Sequence, residues 1–150
     1  MREIKFRAWD EDGFMFYPTK IEFDKEREGE VLVWDEDIFG HLGSAVVDLM
    51  QFTGRLDSTN KEIYEGDIVE LKDDSEWQPI CLEEDEGGKC TEEKTIAFVA
   101  YSKEKGGFVF QHSKIDGCEE DVCEMSGFEQ EDIKIIGTIY QDPELLCLNK

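Results

Sequence analysis

Histidine is nearly absent from this chain, basic residues are few, and no long apolar run occurs. Only His41 and His112 can serve as imidazole bases, and nothing places either beside a nucleophile. No nucleophile elbow, phosphate loop or dinucleotide-binding glycine pattern is found. A hydrolase would have to recruit His41 or His112 with Asp67 as the orienting carboxylate. Asp67 follows Gly66 just before a strand-like run, where a turn role suffices. The residues designate no reaction, so no catalytic, cofactor or metal site is assigned and the protein is expected not to be an enzyme. No run approaches the ~20 apolar residues that a membrane-crossing helix needs. Positive charge is short as well: 16 Lys and Arg stand against 38 Asp and Glu, a formal net charge of −22. A phosphate-backbone binder needs a positive surface, so direct nucleic-acid binding is disfavoured. The balance suits solubility, bound cations or a basic protein partner.

Five cysteines are present: Cys81, Cys90, Cys118, Cys123 and Cys147. The odd number leaves one unpaired in a monomer. Met1-Arg2-Glu3-Ile4 runs straight into a strand-like pattern without a secretory leader, so a reducing cytoplasm is the expected compartment. A metal set of Cys81, Cys90, Cys118 and Cys123 would tie two irregular segments together. Its spacings do not include the close pairs of zinc knuckles, and buried or free thiols are the expected state. Cys147, beside Leu146 and Leu148, reads as a small hydrophobe. The carboxylate runs Glu83–Glu86 and Glu119–Asp121 follow no calcium-loop pattern and read as hydrated acidic faces.

What the chain does contain is strand chemistry. Ten Phe, three Trp and four Tyr accompany many β-branched residues. Ile4, Phe6 and Ala8 alternate with Lys5, Arg7 and Trp9, predicting a strand with a basic outer face, or a covered one if Trp9 packs. Phe14–Tyr17 returns after the Asp10–Gly13 turn and stops at Pro18. Ile21 and Phe23 alternate, and Val31–Trp34 is a further strand. Ser44–Phe52 reads as strand or helix, with the paired valines favouring strand. Thr53-Gly54 is expected to end it, before a turn at Asp57–Asn60 and strands at Ile63-Tyr64 and Ile68–Leu71. Gly66-Asp67 supplies the bend between the last two. Lys72–Glu93 reads as a long acidic loop or insertion. Lys94–Ser102 and Phe108–Phe110 flank a turn and give the clearest hairpin. His112–Asp132 is polar and acidic, with a helical turn expected at Glu129–Asp132. Ile133–Tyr140 is a strand in which Gly137 marks a bulge or close approach, and Asp142-Pro143 opens a terminal helical turn. The C-terminal strand needs a partner, and the Leu49–Leu71 arch is the obvious one. The fold class is mainly β: curved antiparallel sheets or a small β-barrel, with long acidic loops and short helical turns.

Three separated pieces carry a resemblance. They are Met1–Asp10; Leu49–Gly54 with Lys61–Val69; and Ile136–Leu146. In this order and spacing the chain resembles the YopX family of bacteriophage and prophage proteins. The resemblance implies a β-rich fold, a phage or prophage setting and self-association, and it supplies no catalytic residue to carry over. It casts Trp9, Gly54, Tyr64 and Gly66 as scaffold. The chain then reads as a single YopX-like domain over 1–150, with an expected division into an N-terminal β subdomain 1–48 and a barrel-like core 49–150.

The expected function is a noncatalytic protein-interaction or assembly module, acting as a homo-oligomer or with a phage or host protein. Ile4–Trp9, Phe14–Tyr17 and Val31–Trp34 are the segments expected to supply edges and anchors. One alternative is an acidic surface that imitates nucleic acid toward a basic host protein. Another is direct nucleic-acid binding through the basic-aromatic strand of Lys5, Phe6, Arg7 and Trp9.

Overall fold

Alternating apolar residues bounded by glycine and acidic turns produce a protein of paired strands. A computed structural model describes residues 3–10, 12–23, 31–34, 47–72, 95–112 and 122–147. Strands β1 (Phe6–Asp10) and β2 (Met15–Phe16) form the amino-terminal hairpin, and β3 (Lys20–Phe23) pairs with β4 (Val31–Trp34). Strand β5 (Val47–Leu56) is followed by β6 (Glu62–Tyr64) and β7 (Asp67–Leu71). Strands β8 (Thr95–Ser102), β9 (Gly107–His112), β10 (Val122–Glu124) and β11 (Ile133–Thr138) complete the described set. Short 3-10 turns occupy Met125–Gly127, Gln130–Asp132 and Pro143–Cys147.

All of these pairings are antiparallel. One sheet has the order β2-β1-β5-β6, a second β10-β9-β8-β7-β11, and β3-β4 is a separate ribbon. The fold is therefore all-β, built of curved antiparallel sheets, as the strand patterning predicts. The Leu49–Leu71 arch divides between the two sheets: β5 and β6 belong to the first and β7 to the second. The C-terminal strand β11 does pair with β7 of that arch.

Burial follows strand parity. On one face of the first sheet, Ala8 and Phe16 pack with Val33, Ile21, Val47 and Leu49, which seats the β3-β4 ribbon. On the other face, Met50, Phe52 and Tyr64 pack with Trp9, Met15, Leu56 and Tyr140. The core of the second sheet holds Val69, Leu71, Ala97, Val99, Phe110, Met125 and Ile133, and Ile63 of β6 joins it across the sheets. Each fully buried Val, Leu, Ile, Phe or Met among them contributes roughly 1.5–3 kcal/mol.

Several local expectations change. Thr53-Gly54 does not end β5; the strand continues to Leu56 through a bulge between Phe52 and Leu56. Arg7 is not on an outer face. It is buried at 7% exposure, while Trp9 is half-buried against Tyr140, so the covered alternative describes β1. Strand β10 falls within the polar 112–132 stretch, where no strand is expected; three residues beside acidic neighbours carry too little alternation to signal one. Alternation in Ile68–Leu71 predicts Glu70 at an edge or rim; it lies half-buried on β7, an interior strand of the second sheet.

At Gly137 the β11–β7 register slips, and an added Cβ would lie 2.6 Å from an Asp142 carboxylate oxygen. Gly66 has φ +79°, and its Cβ would meet the Tyr140 ring at 3.1 Å. Substitution of Gly66 by alanine is expected to cost ~1–2 kcal/mol from the strained backbone, with crowding at Tyr140 adding to it. Equilibrium urea unfolding with an unchanged m-value checks this.

Candidate interaction groove

Strand alternation puts Arg7 on the face of β1 that turns toward the second sheet, opposite Met50 of β5. A guanidinium there must be satisfied on every side. Its Nη2 donates to Asp67 Oδ1 at 2.6 Å and to the Glu65 carbonyl at 3.2 Å. Its Nε lies 3.4 Å from Met50 Sδ, and its carbon centre lies 4.8 Å from the Tyr64 ring centroid. Asp67 is fully buried at the start of β7, and its second oxygen accepts the Tyr64 amide at 2.7 Å. Burial pushes the Asp67 carboxyl up; the Arg7 charge and the Tyr64 amide oppose that rise.

A second chain of contacts leads outward. The Tyr64 hydroxyl donates to Glu62 Oε2 at 2.7 Å, and Glu62 pairs with Lys5, which also meets Glu3 at 3.2 Å. The Lys5 ammonium lowers the Glu62 carboxyl, assisted by the Tyr64 hydroxyl, and Glu62 in turn raises Lys5. Burial first, and then the Glu62 carboxylate, push the Tyr64 hydroxyl far above its ordinary range. Tyr17 meets Tyr64 edge-on at 6.1 Å, and Phe52 lies 5.5 Å from the same ring.

These residues line two adjoining hollows that share Tyr17, Glu62 and Tyr64. One of about 420 Å³ is bounded by Arg7, Lys61, Asp67 and Ile135–Thr138. The other, about 390 Å³, is bounded by Ile4, Lys5, Phe6, Pro18 and Ile21. Ile4 is 67% exposed and Tyr17 61% exposed, so both stand on the rim.

Asp57 ties the turn before Lys61 to β11, two elements that contribute lining residues. It is fully buried after β5, and its Oδ1 accepts the Thr59 amide and hydroxyl at 2.8 Å each and the Lys61 amide at 2.9 Å. Its Oδ2 accepts the Ile135 amide of β11 at 3.1 Å. The Ser58 amide donates to the Ile133 carbonyl at 2.8 Å, so the 57–58 turn covers the outer edge of β11. Burial alone would raise the Asp57 carboxyl, but these donors outweigh it and hold it below its usual value. Arg55, within the bulged stretch of β5, donates to the carbonyls of Met125 and Phe128.

The residues singled out in the sequence fall unevenly. Asp67 orients no histidine; it holds Arg7 and the Tyr64 amide. His112 lies at the end of β9 with its Nε2 3.5 Å from Cys123 Sγ. His41, Cys81, Cys90, Cys118 and the runs 83–86 and 119–121 lie outside the described residues. Among the described residues no group of three or more His, Cys, Asp or Glu side chains is placed to hold a metal ion, and no helix is long and apolar enough to cross a membrane. The sequence reading missed the Arg7–Asp67 pair and the place of Glu62 and Lys61 in the groove. Its one signal was the unusual Arg7 within an apolar, aromatic strand.

The model of the family described as YopX protein matches residues 5–147. The chain belongs to the YopX family. This is a family of bacteriophage and prophage proteins. The crystal structure of protein EF1440 from Enterococcus faecalis is similar in fold. Its TM-score is 0.53 at 20% sequence identity, with 97% of this chain and 99% of that chain covered. No curated protein matches this YopX-family chain.

Replacing Arg7 with methionine leaves Asp67 buried without its charge partner and is expected to cost ~3–5 kcal/mol. The double change R7M/D67N should recover much of that loss, and denaturant unfolding of the single and double variants measures the coupling. Because the folded state lowers the Asp57 and Glu62 carboxyls, their contribution is complete above the unfolded carboxylate value of about 4 and is lost as pH falls through the lower folded values. Acid unfolding of the wild type and D57N, followed by circular dichroism, should show a shallower pH dependence in the variant.

Proposed function

We propose that this YopX-family protein is a noncatalytic assembly module that docks a second copy of itself on the groove beside β1, β2 and β6. The observation that carries this reading is a nearly neutral, apolar-rimmed window on a chain of net charge −22. Around the groove Lys5, Arg7 and Lys61 balance Glu3, Glu62 and Asp67. Two like-charged copies repel least where the local charge cancels. Exposed Ile4 and Tyr17 supply apolar anchors there. The noncatalytic part of the reading is supported by how the polar groups are used. Arg7, Asp67, Tyr64, Glu62 and Lys5 direct their hydrogen bonds at one another.

The strong acidity favours a second reading, in which the surface imitates nucleic acid toward a basic host protein. Direct nucleic-acid binding through β1 is less well supported, because carboxylates neutralise both Lys5 and Arg7.

Light scattering across protein and salt concentration tests the proposal. Self-assembly should appear as a mass above that of one chain and should strengthen with salt, which screens like-charge repulsion. Y17E and I4E should each weaken it by ~2 kcal/mol or more if these side chains are anchors. A single-chain mass at every concentration and salt would overturn self-docking. A complex with a basic protein that weakens as salt rises would favour the mimic.

A further inference from the structure

The geometry points to a site on the second sheet, apart from the groove: we propose that His112 and Cys123 form a two-donor site for a soft divalent cation, with zinc as the representative ion. Cys123 of β10 lies opposite Phe110 of β9. His112 lies two residues beyond Phe110, so strand parity puts all three on one face of the sheet. His112 and Cys123 are diagonal neighbours on paired strands, a relation that long side chains can bridge. Their donor atoms, Nε2 and Sγ, are 3.5 Å apart.

That separation fits a metal. Zinc bonds of about 2.3 Å to sulfur and about 2.0–2.1 Å to imidazole nitrogen put the two donors roughly 3.5–3.6 Å apart at a tetrahedral angle. The two donors are thus already spaced for one zinc ion to bridge them. Binding breaks the thiol S–H bond and forms an S–Zn bond, and the proton leaves to solvent. The neutral imidazole binds through the Nε2 lone pair with its own proton on Nδ1. Cys123 packs against the core cluster that contains Phe110 and Met125, which screens one side of the thiolate from water.

This is a half-site. Two tetrahedral positions remain for water or an added ligand. It differs from the four-cysteine set considered from the sequence, because an imidazole supplies one donor and both donors lie among the described residues.

The test uses the full chain, reduced with a phosphine and stripped of metal, and titrated with zinc alone against a chromophoric chelator. Wild-type protein should bind one zinc per chain, and C123S and H112Q should each weaken binding at least tenfold. Cobalt(II) titration gives a second readout that reports sulfur ligation specifically. The wild type should show sulfur-to-cobalt charge-transfer absorption, and C123S should lose it. Circular dichroism of each variant establishes that the fold is retained. Failure of the wild type to bind either ion would reduce the contact to a thiol–imidazole hydrogen bond and overturn the site. Equal zinc affinity in the wild type and either variant, or charge-transfer absorption that persists in C123S, would overturn it as well.

Discussion

A buried ion pair holds the two sheets in register. Arg7 comes from β1 and Asp67 from the first position of β7, 60 residues later. Each is too costly to bury alone. Together with the Tyr64 amide, the Glu65 carbonyl and the Tyr64 ring, they leave little of either charge unsatisfied. The turn at Gly66 matters because it delivers the Asp67 carboxylate to the guanidinium. Its positive φ reverses the chain directly after β6 and brings Tyr64 and Asp67 to the same side. The positions of Glu62 and Lys5 follow, since the Tyr64 hydroxyl fixes one and the first carboxylate fixes the other.

Two further polar ties sit along the same boundary. Asp57 joins the β5–β6 turn to β11, and Arg55 joins β5 to the 3-10 turn after β10. Apolar packing across the boundary is contributed by Ile63 and Tyr140. Hydrophobic contact tolerates small slips, whereas these hydrogen bonds accept one alignment. Their role is to select the arrangement of two sheets that hydrophobic burial stabilises. The groove is a consequence of that alignment. It is lined by β1 and β6 of one sheet and by β7 and β11 of the other, so its walls come from both sheets.

Much of the strand order was legible because it depends on local signals. The β8–β9 hairpin has apolar alternation on both sides of Lys103–Gly107, and Gly137 marked the irregularity in β11. The terminal turn at Pro143 followed from its neighbours. Long-range partners were not legible, because nothing near Arg7 in the sequence names Asp67. Alternation alone left β1 between a basic outer face and a covered one; the carboxylate that makes Arg7's burial tolerable lies in a different segment. Residues Ile4, Lys5, Phe6, Arg7 and Tyr17 of the aromatic amino-terminal segments line one wall of the groove. Its other wall, from Lys61 to Thr138, required the tertiary pairing of β7 with β11.

The hairpin topology separates two properties that often constrain each other. The positions 24–30, 73–94 and 113–121 each connect strands that are already neighbours: β3 with β4, β7 with β8, and β9 with β10. Closing such a connection costs entropy that grows only with the logarithm of its length, about 0.6 kcal/mol for each doubling. The acidic runs at 83–86 and 119–121 fall within two of these connections. In this chain, net charge and the length of these connections can therefore change without altering strand order or the polar ties. The topology allows charge to be added between neighbouring strands without rebuilding the core.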